Sequence, residues 1–172
     1  CVGESTTLTA SGGGTYLWST GATTASITVN PTITTTYTVT VTASGGCVST
    51  ARATVTVNTN PTASISGGTS VCLGSSVTMT ASGGVSYLWN TGATTAAITV
   101  APTVNTTYTV TVTNITGCTA TATRTITVNS LPTPTVTGTN TICSGQSTTL
   151  TASGGTSYLW STSATTAAIT VS

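Results

Sequence analysis

The chain has 172 residues, of which only 2% are charged, and its formal net charge is +1. Glu4, Arg52 and Arg124 are its only charged residues, so there is no basic surface for nucleic acid to bind. No apolar run approaches the ~18 residues that a membrane-spanning segment requires. We therefore expect neither nucleic-acid binding nor membrane insertion.

The composition favours β-structure. Hydrophobic residues make up 37% of the chain, and threonine and valine are abundant. Both side chains are branched at Cβ, which restricts χ1 and suits a pleated surface. High charge, the usual cause of intrinsic disorder, is absent.

One segment of fifteen residues occurs three times at an interval of 71 positions, as TYLWSTGATTASITV (15–29), SYLWNTGATTAAITV (86–100) and SYLWSTSATTAAITV (157–171). Other residues align at the same interval. The aligned cysteines and aromatics are Cys1, Cys72 and Cys143; Cys47 and Cys118; Trp18, Trp89 and Trp160; and Tyr37 and Tyr108. A fixed interval is typical of an array of similar structural units.

Two Asn-x-x-Pro motifs, at 58–61 and 129–132, suggest the boundaries of these units, because proline ends strand pairing. We predict that residues 1–58 form a module lacking its first strand and that 59–129 form a complete module. Residues 130–172 would form a module lacking its last strands. This division implies a parent chain that continues in both directions.

The complete module shows an alternation of apolar and polar residues that is typical of antiparallel sheets with one solvated face. In chain order, the predicted strands are 62–67, 76–81, 86–89, 96–100, 107–113 and 119–128. Six or seven short strands separated by Gly, Ser, Asn and Pro turns predict a Greek-key β-sandwich resembling an immunoglobulin domain. The fold class is therefore all-β, with sandwich modules in tandem.

The alternation also predicts which aromatic side chains fill the cores. Trp18, Trp89 and Trp160 are expected to point inward, as are Tyr37 and Tyr108. Tyr16 and Trp18 could form a sugar-stacking platform, but their shared inward face favours a role in the core.

The cysteines predict disulfides, because modules this small bury only a modest core. Cys1 and Cys47 are 46 residues apart, as are Cys72 and Cys118, so pairing within each module is the simplest prediction. Cys143 would then pair with a cysteine outside the chain. The alternative is five free thiols in a reducing compartment.

The motifs LTASGG, YLW, TGATT, YTVTVT and GC resemble the tandem Ig-like or PKD-like repeats of giant Bacteroidota cell-surface adhesins. Those proteins include gliding and attachment adhesins exported by the type IX secretion pathway. The resemblance implies immunoglobulin-like sandwiches in series, displayed outside the cell. It also implies a role in adhesion or in a surface filament.

The sequence provides almost no catalytic chemistry. Glu4 is the only carboxylate, and no His or Lys is present to activate a serine. Short-spaced Cys or His clusters for zinc and multiple carboxylates for calcium are also absent. We expect no enzymatic activity, no cofactor and no metal.

We therefore predict structural spacer or stalk modules of a long extracellular adhesin or surface filament, serving cell adhesion or gliding. The expected partners are neighbouring repeats of the same chain and other copies in a filament. Two alternatives are a multivalent glycan- or protein-binding module and a self-associating fibre subunit. Each would need a ligand or surface that the sequence does not identify.

Overall fold

A computed structural model describes all 172 residues, and every regular element in it is a β-strand. The strands are β1 (Thr6–Thr9), β2 (Thr15–Trp18), β3 (Ser26–Val29), β4 (Thr35–Thr42), β5 (Val48–Val55), β6 (Ser64–Gly67), β7 (Ser70–Cys72), β8 (Val77–Ser82), β9 (Ser86–Trp89), β10 (Ala97–Val100), β11 (Thr106–Thr113), β12 (Thr119–Asn129), β13 (Thr135–Thr137), β14 (Thr148–Ser153) and β15 (Ala168–Val171). The predicted all-β fold class is confirmed. No helix is long and apolar enough to cross a bilayer.

Residues 59–129, which we call module two, form two sheets that face each other. One sheet has the strand order β10-β8-β6, and the other has β7-β12-β11-β9. A single core of nine buried residues joins them, with Met79 from one sheet packed in the same cluster as Trp89 and Val110 from the other. The arrangement is a two-layer β-sandwich.

Alternation produces this core. In β11, Tyr108, Val110 and Val112 are buried, and the threonines between them are only partly buried. Successive side chains of a strand point to opposite faces, so each β-branched apolar residue lies inside and each threonine lies towards solvent.

Residues 1–58, module one, form a smaller version with the sheets β1-β3 and β2-β4-β5. Trp18 and Tyr37 lie in a core cluster of five buried residues. No strand equivalent to β6 precedes β1, which is consistent with the smaller core.

Residues 130–172, module three, form one sheet with the order β13-β14-β15. Trp160 is half-buried here, whereas Trp89 is only 1% exposed in module two. The difference has a simple cause: module three has no strands corresponding to β11 and β12, which cover the tryptophan of module two.

The same two features occur at each tryptophan, a hydrogen bond from the indole and a tight turn. Its indole Nε1 donates to a backbone carbonyl six residues later, at 2.8 Å for Trp18 and 2.9 Å for Trp89 and Trp160. A tight turn follows each tryptophan. The residue three positions after the tryptophan has a positive φ, which is 86° at Gly21, 85° at Gly92 and 67° at Ser163. Ser163 thus holds a left-handed conformation that glycine adopts at lower cost.

Two features of module two were not predicted. The first is β7, a short strand that pairs in parallel with the end of β12. The second is Arg124, whose guanidinium donates to the carbonyls of Ile65 at 2.7 Å and Gly68 at 3.1 Å, and to that of Gly67. Arg124 therefore anchors the segment in which the chain crosses from one sheet to the other.

Candidate functional site

The candidate site is the joint between modules one and two, formed by residues 1–2, 58–60 and 114–118. Its first part is the turn between β11 and β12. Asn114 N donates to Cys118 O at 2.9 Å, and Gly117 N donates to Asn114 O at 3.0 Å with Gly117 at φ 82°. The turn places Cys118 at the end of module two that faces module one.

The Asn114 side chain stabilises this turn and connects it to the linker. Its Oδ1 accepts from the backbone amides of Thr116 at 3.0 Å and Cys118 at 2.9 Å. Its Nδ2 donates to the carbonyl of Thr59 at 2.9 Å. One side chain thus satisfies amides of module two and binds the segment that leaves module one.

The start of module one lies beside the same linker. Val2 N donates to Asn58 O at 3.0 Å, and Asn60 Nδ2 donates back to Val2 O at 3.3 Å. These bonds place Cys1 at the end of module one that faces module two.

A disulfide between Cys1 and Cys118 closes the joint, with the two Cα atoms 5.5 Å apart. Cys118 is fully buried and Cys1 is partly buried. Cys118 Sγ lies 3.8 Å from Asn58 O, a van der Waals contact because an oxidised sulfur has no proton to donate. The bond joins two modules covalently at the point where the linker connects them.

This pairing corrects the prediction of Cys1–Cys47 and Cys72–Cys118. Cys47, Cys72 and Cys143 are free and exposed. The expectation that disulfides form within each module was wrong in this structure, although the expectation of a disulfide was right.

Strand length is the physical reason. Cys72 pairs with Asn129 at the end of β12, whereas Cys118 immediately precedes the first residue of that strand. β12 has 11 residues, so its ends are about 33 Å apart at ~3.3 Å per residue. A disulfide requires Cα atoms within about 7 Å, so the two cysteines of one module cannot meet.

The unpredicted strand β7 explains why the sequence misled. Periodicity identified the last strand of the module but not the parallel contact that carries the Cys72 segment to its far end. The two cysteines of a module therefore lie at its opposite ends in space. Cys1 lies at the end of module one that touches module two, and it meets Cys118 at the adjoining end of module two. The Asn-x-x-Pro motif at 58–61 lies beside the joint, where Asn58 O accepts from Val2 N, but the motif does not indicate which cysteines pair.

The joint has little reactive chemistry. Glu4, its nearest carboxylate, is exposed and lies 3.2 Å from the amino group of Cys1. No group of three or more His, Cys, Asp or Glu residues lies close enough to hold a metal ion. The chemistry of the joint is therefore the disulfide itself, which cross-links the two modules and positions them relative to each other.

The outer faces of the sheets carry paired hydroxyl groups. On neighbouring strands, threonine and serine oxygens lie within 2.7–3.4 Å of each other. The pairs are Thr7 and Thr28, Thr9 and Ser26, Thr36 and Thr54, Ser64 and Ser82, Thr78 and Thr99, Thr107 and Thr125, and Thr135 and Ser153. Such cross-strand pairs stabilise the sheet and leave a neutral, polar surface.

The fold and the joint define an all-β protein in which two small sandwiches, modules one and two, are connected in series and a three-stranded sheet follows. Comparison with protein-family models and with curated proteins found no match.

Proposed function

We propose that the chain is a structural spacer, part of a stalk or filament that holds another domain away from a cell surface in adhesion or gliding. The observation that carries the proposal is the Cys1–Cys118 bond, which joins consecutive modules end to end. A joint fixed by both a backbone linker and a disulfide resists bending, which suits a part whose task is to maintain distance.

The surface supports the same proposal. The exposed faces are rich in hydroxyl groups, and three residues carry all the side-chain charge. Salt screens interactions between charges, and this surface carries almost none. The stalk would therefore keep its shape as ionic strength changes.

The disulfide is consistent with an oxidising environment outside the cytosol, and we propose display at the cell surface. Neighbouring modules of the same chain are the proposed partners. The tryptophans are poor candidates for a glycan platform, since the indole N–H groups of Trp18 and Trp89 are satisfied and both rings are buried.

Small-angle X-ray scattering of the purified chain tests the proposal. A compact chain of 172 residues would have a radius of gyration of about 16 Å. Two modules in line are about 70 Å long if each extends ~35 Å, which gives a radius of gyration of at least about 20 Å. The larger value, together with thin beaded particles in electron microscopy, is the expected result, and the compact value would refute the spacer role.

A further inference from the structure

We propose that Cys72 is a second cross-linking site, built to pair with a cysteine 117 residues further along in any chain that carries another complete module. The inference rests on the tandem arrangement in the proposed function, and it extends a single disulfide to a repeated clamp. Cys72 occupies the position in module two that Cys1 occupies in module one.

The backbone holds Cys72 in the same frame as Cys1. Leu73 N donates to Asn129 O at 2.9 Å, which matches the 3.0 Å bond from Val2 N to Asn58 O. The end of module two therefore presents its cysteine as the end of module one does. Cys72 is exposed, so its thiol is accessible at that end.

The turn after each of these cysteines is also the same. The amide three residues later donates to the cysteine carbonyl, at 3.2 Å for Cys1 and 3.0 Å for Cys72 and Cys143. The intervening glycines have φ values of 89°, 86° and 83°. Three copies of one local conformation thus present a cysteine in the same way, and one of them makes the bond.

The turn that holds the opposite partner has the same backbone bonds in module one, although Ala43 there lacks the side-chain bonds that Asn114 makes in module two. In module one, Ala43 N donates to Cys47 O and Gly46 N donates to Ala43 O, each at 2.9 Å. These are the bonds that shape the turn around Cys118, where the distances are 2.9 and 3.0 Å. Cys47 therefore lies, exposed, at the end of module one that corresponds to the Cys118 end of module two.

The chemistry of the step is thiol oxidation. Two thiols lose two protons and two electrons and form one S–S bond, and a small-molecule disulfide accepts the electrons and is reduced to two thiols. No group on this chain needs to act as a catalyst. Attack begins with the thiolate of one cysteine on a mixed disulfide of the other.

Repeating the bond produces overlapping cross-links, because each one spans 117 residues while the modules recur every 71. In a longer chain, the backbone from Cys118 to Cys143 would connect the Cys1–Cys118 bond to the bond formed by Cys143, and the bond formed by Cys72 would lie between them. Those 25 residues extend to at most about 90 Å, not far above the ~70 Å length of two folded modules. A filament clamped in this way has little length to release under tension.

The test extends the full chain by a copy of residues 102–129 after Ser172, which completes module three and places a cysteine 117 residues after Cys72. The protein is refolded with a mixture of reduced and oxidised glutathione, and its free thiols are counted in the folded state. Peptide mass spectrometry without reduction then identifies the linked pairs. A second extension with residues 31–58, which places Cys47 in the same register, guards against a failure of the first to fold.

The proposal predicts two free thiols, Cys47 and Cys143, and a linked peptide pair that contains Cys72 and the appended cysteine. Three free thiols are expected in the Cys72→Ser control. Four free thiols in an extended chain whose Trp160 fluorescence shows burial would overturn the proposal. If that chain still scattered as an extended thread, the spacer function would stand without the repeated clamp.

Discussion

Reduction of the Cys1–Cys118 bond should change how much chain is released when the protein is pulled by its two ends. In the oxidised protein, force entering at Cys1 crosses directly to Cys118 and then follows residues 119–172. Residues 2–117 lie outside the load-bearing path. Module one and most of module two are therefore protected from unfolding by tension.

The structure fixes the magnitude. The 54 residues from 119 to 172 extend to about 195 Å at ~3.6 Å per residue. The bonded cysteines are 117 residues apart, so reduction adds about 420 Å of extensible chain. This hidden length depends only on which cysteines are joined.

Single-molecule force spectroscopy with handles at both termini measures it, in the presence and absence of a phosphine reductant. The free thiols are first replaced by serine, at Cys47, Cys72 and Cys143, so that no other disulfide forms. The same protein with the additional change Cys1→Ser is the matched control, and it should give the longer extension under both conditions.

Equal extensions with and without reductant would refute the bypass. In the protein with all its cysteines, a hidden length of about 330 Å divided between two separate loops would indicate the pairs Cys1–Cys47 and Cys72–Cys118, each 46 residues apart. Because 420 Å and 330 Å are readily resolved, the experiment distinguishes the two connectivities.

Three further predictions concern stability, measured as the free energy of unfolding in urea. Arg124→Leu should lower it by about 2–3 kcal/mol because three backbone carbonyls lose a charged donor, while the exposed Arg52→Leu should change it by less than about 0.5 kcal/mol; equal effects would contradict the anchoring role. Ser163→Gly should stabilise module three by about 1 kcal/mol by removing a left-handed non-glycine residue, and Gly92→Ala at the equivalent turn should destabilise module two by a similar amount; a destabilising Ser163→Gly would show that the serine side chain is needed. Asn114→Ala should cost about 1–2 kcal/mol, since two backbone amides and the linker carbonyl lose their partner; an unchanged midpoint would show that water replaces the amide.

Much of the fold followed from the sequence because alternation acts locally. The strict pattern of β11 determines its inward face, and Tyr108, Val110 and Val112 are all buried. The three copies of the Tyr-x-Trp segment likewise placed Trp18 and Trp89 towards the cores, where both are buried. Each of these predictions required only the two-residue period of a strand.

The disulfide connectivity could not be predicted in the same way because it depends on which ends of the strands meet. The equal spacing of 46 residues suggested pairs within modules, yet spacing along the chain does not report the ~33 Å that separates the two ends of β12. Arg124 was also missed, because its three acceptors lie 56–59 residues away and are backbone carbonyls that any sequence supplies.

Peptide mass spectrometry of the unreduced protein tests the covalent joint most directly. The protein is digested with pepsin at acidic pH, because thiols stay protonated there and disulfide exchange is prevented. The linked peptides are then sequenced. The account predicts one linked pair, containing Cys1 and Cys118, with Cys47, Cys72 and Cys143 recovered as thiols. Linked pairs joining Cys1 to Cys47 or Cys72 to Cys118 would contradict it, as would recovery of all five cysteines in the thiol form.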